Sequence, residues 1–123
     1  MVPLAVAVLL VGFPGVLAEH NFQTPSHNIV CNAGHVASGG RALACVVLSE
    51  SDNRGQHVRW MRPTGPAHAN WVIGNAATDV GALAYGKTWA WGGFRCASQR
   101  TGLTCTNTSR HGFFLSRDRQ KIF

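Results

Sequence analysis

The sequence predicts an all-β, single-domain protein: an antiparallel sandwich or barrel of about seven short strands, stapled by disulfides. Beyond the first eighteen residues, no segment of ten or more residues places apolar side chains at helical spacing. Short apolar or alternating runs recur instead between clusters of Gly, Asn, Ser and Pro, which is typical of β-strands and turns. The same part of the chain contains four cysteines, an even number that suits two disulfides.

Residues 1–18, MVPLAVAVLLVGFPGVLA, have the character of an export signal. They contain no charged side chain and end with small residues at the two positions that a signal peptidase reads. A membrane anchor is the alternative, but it needs about twenty regular apolar residues, and Gly12-Phe13-Pro14-Gly15 interrupts the run. We therefore predict a signal peptide over 1–18 and a secreted β domain over 19–123. The mature protein is expected to be a monomer in the periplasm or outside the cell, with no membrane span after cleavage.

Seven segments have the pattern of strands, and Gly-containing turns at 38–40, 51–55 and 100–102 separate several of them. Residues 62–79, with two prolines and two glycines, are predicted to form one long irregular connection in which Trp71 and its neighbours pack down. The predicted strands are residues 28–32, 41–49, 57–61, 80–85, 93–97, 103–107 and 112–117.

Pairing of cysteines within hairpins is the favoured disulfide pattern among the three possible ones. This pattern joins Cys31 to Cys45 and Cys96 to Cys105. In both hairpins a leucine stands two residues before the second cysteine, so the two side chains share a face of the strand. Thirteen and eight residues separate the cysteines, spacings that do not suit the competing zinc site.

Motifs at both ends of the mature chain resemble those of an uncharacterised family of small secreted bacterial proteins. Phe22 to Cys31 reads FQTPSHNIVC, residues 85–107 contain YGKTW, GGFRC and GLTCTN, and residues 111–117 read HGFFLSR. The resemblance implies a secreted, disulfide-bonded domain of unknown function. His27 stands where the family pattern has Gly, which puts the conformation of that turn in question. A cysteine pair found in the middle of similar proteins is also missing here.

Charge favours an anionic partner. Eleven Lys and Arg against five Asp and Glu give a formal net charge of +6, and six of the eleven lie between Arg95 and Lys121. A field of that sign attracts acidic polymers, although good solubility is the simpler explanation of a basic surface. We therefore predict a binding or interaction module whose partner is an anionic extracellular polymer, such as one of the cell wall, or a protein.

Aromatic and basic residues near the C-terminus are the candidate binding residues. Trp89 and Trp91 are two apart, so they share a face of an extended segment and could stack on sugar rings; packing in a thin β core is the competing explanation. The candidate binding residues are Tyr85, Lys87, Trp89, Trp91, Arg95, Arg110, His111 and Arg117.

A small basic hydrolase acting on nucleic acid, similar in chemistry to a ribonuclease, is the alternative function. It would use two histidines as acid and base and arginines for the phosphate, and the residues that suit these roles are His111, His57, Arg117 and Arg59. Since no spacing among them is diagnostic, we assign no catalytic residue. No cofactor or metal is predicted either, although His20, at the second position of the mature chain, could bind copper weakly with the terminal amine.

Overall fold

Two antiparallel sheets of five strands each make up the fold of the computed structural model, which describes residues 20–74, 76 and 78–123. Each sheet is a meander in which strands consecutive in the sequence are hydrogen-bonded neighbours. The predicted signal peptide lies outside the described residues.

The first sheet is built from β1 (His20–Gln23), β2 (Ile29–His35), β3 (Arg41–Val47), β4 (Gln56–Met61) and β5 (His68–Val72). A short 3-10 turn, Leu48–Glu50, follows β3. The second sheet is built from β6 (Thr88–Trp91), β7 (Phe94–Gln99), β8 (Gly102–Thr106), β9 (Gly112–Leu115) and β10 (Gln120–Ile122).

One disulfide joins the second and third strands of each sheet. Cys31 is bonded to Cys45, and Cys96 to Cys105, and the two members of each pair stand directly opposite one another in the strand register. The sulfur atoms of Cys31, Cys45 and Cys105 lie within 4.8 Å of one another. The two disulfides therefore meet between the sheets, and the predicted pairing is confirmed.

The main core lies between the two sheets and surrounds the disulfides. Large buried side chains from both sheets fill it, and Trp89 and Trp91 pack against it while keeping partial exposure. The fully buried members include Leu43, Met61, Leu103, Phe113 and Leu115. Since β-strand side chains alternate between faces, the leucines two residues before Cys45 and Cys105 point inward, as predicted.

The outer faces of the two sheets differ in chemistry. The first sheet carries a second apolar cluster on its outer face, formed by Val30, Val46 and Val58 with Ala42 and Ala44. The second sheet turns mostly polar or charged residues outward, interleaved with the buried ones. These outward residues include Thr88, Arg95, Gln99, Thr104, Thr106, Phe114 and Lys121.

Residues 80–87 connect the two sheets along one edge. The backbone amide of Gln23 in β1 donates to the Gly81 carbonyl at 3.0 Å, and the Leu83 amide donates to the Gln23 carbonyl at 2.7 Å. Further along, the Gly86 amide donates to the Ser98 carbonyl of β7 at 2.7 Å. The connection thereby runs from the edge of the first sheet to the edge of the second.

The all-β prediction is confirmed, with ten strands instead of seven. Six predicted strands correspond to β2, β3, β4, β7, β8 and β9. The predicted strand at 80–85 is replaced by the edge connection, in which only Ala82 forms an isolated bridge. Four strands were not predicted: β1, β5, β6 and β10. β1, β6 and β10 are only three or four residues long, too short to show a period. β5 lies inside the segment predicted to be irregular.

Candidate functional site

A cavity of about 160 Å³ opens at one end of the sandwich, where turns of both sheets meet. The β1–β2 turn contributes one wall, the β7–β8 turn another, and the end of β9 and the edge connection complete it. The lining residues are Thr24, Ser26, Asn28, Ile29, Tyr85, Gln99, Arg100, Thr101, Gly102, Ser116 and Arg117.

The wall from the first sheet is a tightly bonded turn. Ser26 Oγ lies 3.1 Å from Thr24 Oγ1 and accepts a hydrogen bond from the Asn28 amide at 3.3 Å. Asn28 also fastens the wall to the 3-10 turn that follows β3, since its side chain donates to Ser49 Oγ at 3.0 Å. His27 has φ of 62°, a left-handed conformation that glycine adopts most easily. A histidine thus occupies a turn position whose backbone conformation favours glycine.

Gly102 allows the second wall to approach β9. Its φ is 148°, and a Cβ atom there would lie 2.6 Å from the Leu115 carbonyl oxygen and 2.6 Å from the Phe114 ring. Neither the backbone conformation nor the space suits a side chain. Glycine at this position therefore brings the β7–β8 turn, with Arg100 and Thr101, next to Ser116 and Arg117.

Two arginines, Arg100 and Arg117, line this cavity, and none of its lining residues carries a carboxylate. Arg100 lies over the Tyr85 ring, 4.8 Å from its centroid, a cation–π contact that leaves its N–H donors available. Within the described part of the chain, the Arg117 side chain makes no hydrogen bond or ion pair. The cavity can therefore offer two sets of charge-assisted donors to one acidic group.

Charge is distributed unevenly along the chain. Residues 87–123 contain seven Lys and Arg against Asp118 alone, a balance of +6, whereas residues 1–86 contain four arginines and four acids. The whole formal net charge therefore comes from the part of the chain that forms the second sheet. In the first sheet, Arg54 pairs with Asp52 at 2.6 Å and Arg59 with Glu50 at 2.5 Å. Among the described residues of 87–123, no ion pair occurs.

The candidate binding residues are spread over several places. Tyr85 and Arg117 line the cavity, and Lys87 follows Tyr85 in the exposed connection. Arg95 is exposed on the outer face of the second sheet, at the end away from the cavity, where the exposed Arg110 occupies a turn with φ of 64°.

The candidate tryptophans point toward the space between the sheets. Trp89 contacts Phe22 at a tilt of 42°, with ring centroids 4.9 Å apart, and Trp91 stacks against His20 with centroids 4.2 Å apart. The prediction that they share a face is confirmed. Both pack against the core, which leaves them only partly exposed.

His57 and His111, which the hydrolase alternative would pair, lie on different sheets. His57 stacks on Trp71 at 4.4 Å in β4 and β5, and its Nδ1 is 3.6 Å from Glu50 Oε2. His111 precedes β9 and its Nδ1 lies 3.4 Å from the Phe123 carbonyl oxygen. Their contacts do not bring the two imidazoles together, and Arg59 is bound to Glu50 instead of facing a phosphate site.

Burial lowers the pKa of His57, and the nearby positive charge of Arg59 lowers it further. The imidazole is therefore neutral at pH 7, because its ordinary pKa is already about 6.5. A neutral imidazole beside a carboxylate can accept a proton. A purely structural role explains the position of His57 equally well. It stacks on Trp71, and the Trp71 ring also lies 3.8 Å from the Arg54 guanidinium.

Sequence reasoning missed Arg100, Ser26, Thr101 and Ser116, which belong to the cavity. The available signal was the turn Gln99-Arg100-Thr101-Gly102, which carries a cation at its tip. It could not be used without knowing which other turn lies beside it.

The described residues contain no helix with the length and apolar character needed to cross a bilayer.

A model described as a family of unknown function (DUF6636) matches residues 63–123. The matched range contains β5, the complete second sheet and the cavity residues Tyr85, Arg100 and Arg117. Neither the curated proteins nor the solved structures contain a match to the chain.

Proposed function

We propose that this protein is a secreted, disulfide-stabilised module that binds an anionic extracellular polymer through its second sheet, with one acidic group of the polymer held in the cavity. The observation that carries this proposal is that two arginines, Arg100 and Arg117, line a cavity that has no acidic lining residue. Phosphate and carboxylate groups are the anions that match a guanidinium's donors.

The size of the cavity favours one group of a polymer over a complete small molecule. Pockets for drug-sized ligands usually enclose roughly 300–1,000 Å³, whereas this cavity encloses about 160 Å³. A single phosphate or carboxylate can enter while the rest of the polymer continues across the surface. Ser26 and Thr101 also line the cavity, and their hydroxyl groups can donate hydrogen bonds to the remaining oxygens. The Ser116 hydroxyl, by contrast, already donates to the Arg119 carbonyl.

The charge distribution supports the same partner. Since residues 87–123 supply the whole net charge of +6, attraction of an acidic polymer is directed to one side of the molecule. Salt should weaken that attraction, because a Debye length of about 8 Å at physiological ionic strength screens exposed charges. The first sheet, whose charges are balanced and partly paired, supplies the scaffold.

The test compares two double variants of equal net charge. Arg100→Gln with Arg117→Gln removes two charges from the cavity, and Arg41→Gln with Arg54→Gln removes two exposed charges from the first sheet. Co-sedimentation with isolated bacterial cell walls measures binding. Because hydrogen bonds to charged groups contribute about 1.5–3 kcal/mol each, the cavity variant should bind at least about tenfold more weakly, with little change in the control.

Three outcomes would contradict the proposal. Equal losses in both double variants would show attraction by net charge alone, and unchanged binding of the cavity variant would show that the cavity is not the site. Cleavage of RNA by the purified protein would favour the hydrolase alternative. Export is tested separately by N-terminal sequencing of the protein from the culture medium, where the first residue should be Glu19.

A further inference from the structure

Three aromatic side chains meet between the sheets at the end opposite the cavity. The His20 imidazole stacks on Trp91 with ring centroids 4.2 Å apart and an interplanar angle of 26°. The His35 imidazole meets the same indole edge-on at 5.7 Å and 83°. From these two distances the imidazole centroids are at most 9.9 Å apart.

The strand register explains why the two imidazoles are neighbours. His20 of β1 stands opposite Ala33 of β2, and His35 lies two residues further along the same strand. Such diagonal positions are about 7–8 Å apart on one face of a sheet. Because Phe22 and Ala33 are buried, this shared face is the one turned toward the second sheet and Trp91.

We propose that His20 and His35 form a copper-binding site beside Trp91. Imidazole nitrogen suits copper, and copper binds nitrogen sites more strongly than the other divalent first-row metals. Both histidines are exposed, so rotation of their side chains can bring one nitrogen of each ring to a shared ion. An imidazole has two ring nitrogens, and the second can keep a hydrogen bond while the first binds the metal.

The surroundings modify this site in two ways. Trp91 lies against both imidazoles, and an indole attracts a cation that comes within about 6 Å of its centroid. Arg41 acts in the opposite direction: it stands opposite His35 in the register, and its Cδ would lie only 2.9 Å from a Cβ placed at Gly92, next to Trp91. Removing this positive charge should strengthen copper binding.

Other histidines in the chain provide a matched control. His68 also contacts a tryptophan, Trp60, with ring centroids 4.6 Å apart and an interplanar angle of 32°. Among the ring contacts of the described residues, Trp60 has this one histidine, whereas Trp91 has two. A requirement for both imidazoles therefore distinguishes a chelating site from an ordinary histidine on a tryptophan.

Titration of the full chain with copper(II) chloride tests the proposal, with tryptophan fluorescence as the readout and electron paramagnetic resonance to count nitrogen ligands. We expect quenching at one equivalent and a signal from two imidazole nitrogens. His20→Ala and His35→Ala should each weaken binding at least about tenfold, since even the loss of an outer-shell partner costs about 10–100-fold. Arg41→Gln should tighten binding, and His68→Ala should leave it unchanged.

Trp91→Phe separates binding from its optical signal. This variant should lose most of the quenching while keeping the nitrogen signal, because phenylalanine preserves an aromatic ring. Affinity unchanged by His20→Ala or by His35→Ala would overturn the proposal, as would an equal loss in His68→Ala. Circular dichroism confirms that each variant is folded, which the exposure of these histidines leads us to expect.

Discussion

The two sheets share one plan and differ in what they turn outward. In the first, Phe22, Cys31, Cys45 and Arg59 stand opposite one another across four strands; in the second, Trp89, Cys96, Cys105 and Phe113 do so. Each row has an aromatic residue beside the disulfide. Yet the outer face of the first sheet is apolar and that of the second is mostly polar and basic.

This difference separates the requirements of folding from those of binding. The inner faces must fill one core between them, so they obey the same pattern of buried residues around a disulfide. The outer faces are under no such common requirement. The first sheet balances its charges with ion pairs, whereas the second leaves its guanidiniums available, and a ligand can therefore gain most from contact with the second.

The largest expected effect on stability is at the position opposite the second cysteine of each disulfide, where the two sheets carry different residues. Phe113 and Arg59 both stand directly opposite a cysteine, but Phe113 is fully buried in the core and Arg59 is bound to Glu50. Phe113→Ala should lower the free energy of unfolding by about 3–5 kcal/mol. Urea unfolding followed by tryptophan fluorescence measures this loss.

The matched change in the first sheet is Arg59→Met combined with Glu50→Met. Replacing both partners leaves no charge unpaired, and exchange of a buried ion pair for apolar groups is often close to neutral. We expect this double variant to be about as stable as the wild type. A loss as large as that of Phe113→Ala would show that the two positions have equal weight in the core.

The two disulfides, one in each sheet, should contribute nearly equally to the free energy of unfolding. Their cysteines are 14 and 9 residues apart, and the loop-entropy relation assigns about 3 kcal/mol to each, with a difference below about 0.5 kcal/mol. Replacing each pair in turn by alanine, and comparing urea midpoints under non-reducing conditions, tests this equality. If one pair proved dispensable, the two sheets would not be equivalent in the core.

The inner half of each sheet was predictable from the sequence because its signals are local. A leucine two residues before Cys45 and another before Cys105 place those side chains on one face, and a Gly-containing turn between cysteines indicates a hairpin. Pairing within the hairpins followed from these observations. The burial of Phe113 and Leu115, with Phe114 turned outward, also follows from simple alternation.

The cavity was not predictable because no local pattern records which turns are neighbours. Ser26 and Arg100 are 74 positions apart in the chain, and they line one cavity because sheet packing brings the β1–β2 turn to the β7–β8 turn. Likewise, β5 lies in a segment rich in Pro and Gly. Its residues 68–71, HANW, do not alternate, so the strand is established by pairing with β4.

A smaller effect is expected at Gly112, where the second sheet is most crowded. A Cβ there would overlap the Cys105 carbonyl oxygen, and the backbone of Gly112 is not in the left-handed conformation. Gly112→Ala should therefore destabilise by about 2 kcal/mol, in the range of overpacked cores. Gly81→Ala, beside β1, is the control: with nothing within 4 Å of the new Cβ, stability should change by less than about 0.5 kcal/mol. Equal effects would contradict close approach of β8 and β9.

The smallest expected effect is a pH dependence confined to the first sheet. Because burial lowers the pKa of His57, the unfolded chain takes up a proton before the folded chain does as the pH falls below about 6.5. The free energy of unfolding should then decrease on acidification from pH 7.5 to 5.0. In His57→Gln, which cannot take up that proton, the decrease should be smaller than in the wild type, and His111→Gln provides the comparison from the second sheet. If His57→Gln kept the full wild-type decrease, or if only His111→Gln reduced it, the pH dependence would not come from His57 and its contacts with Trp71 and Glu50.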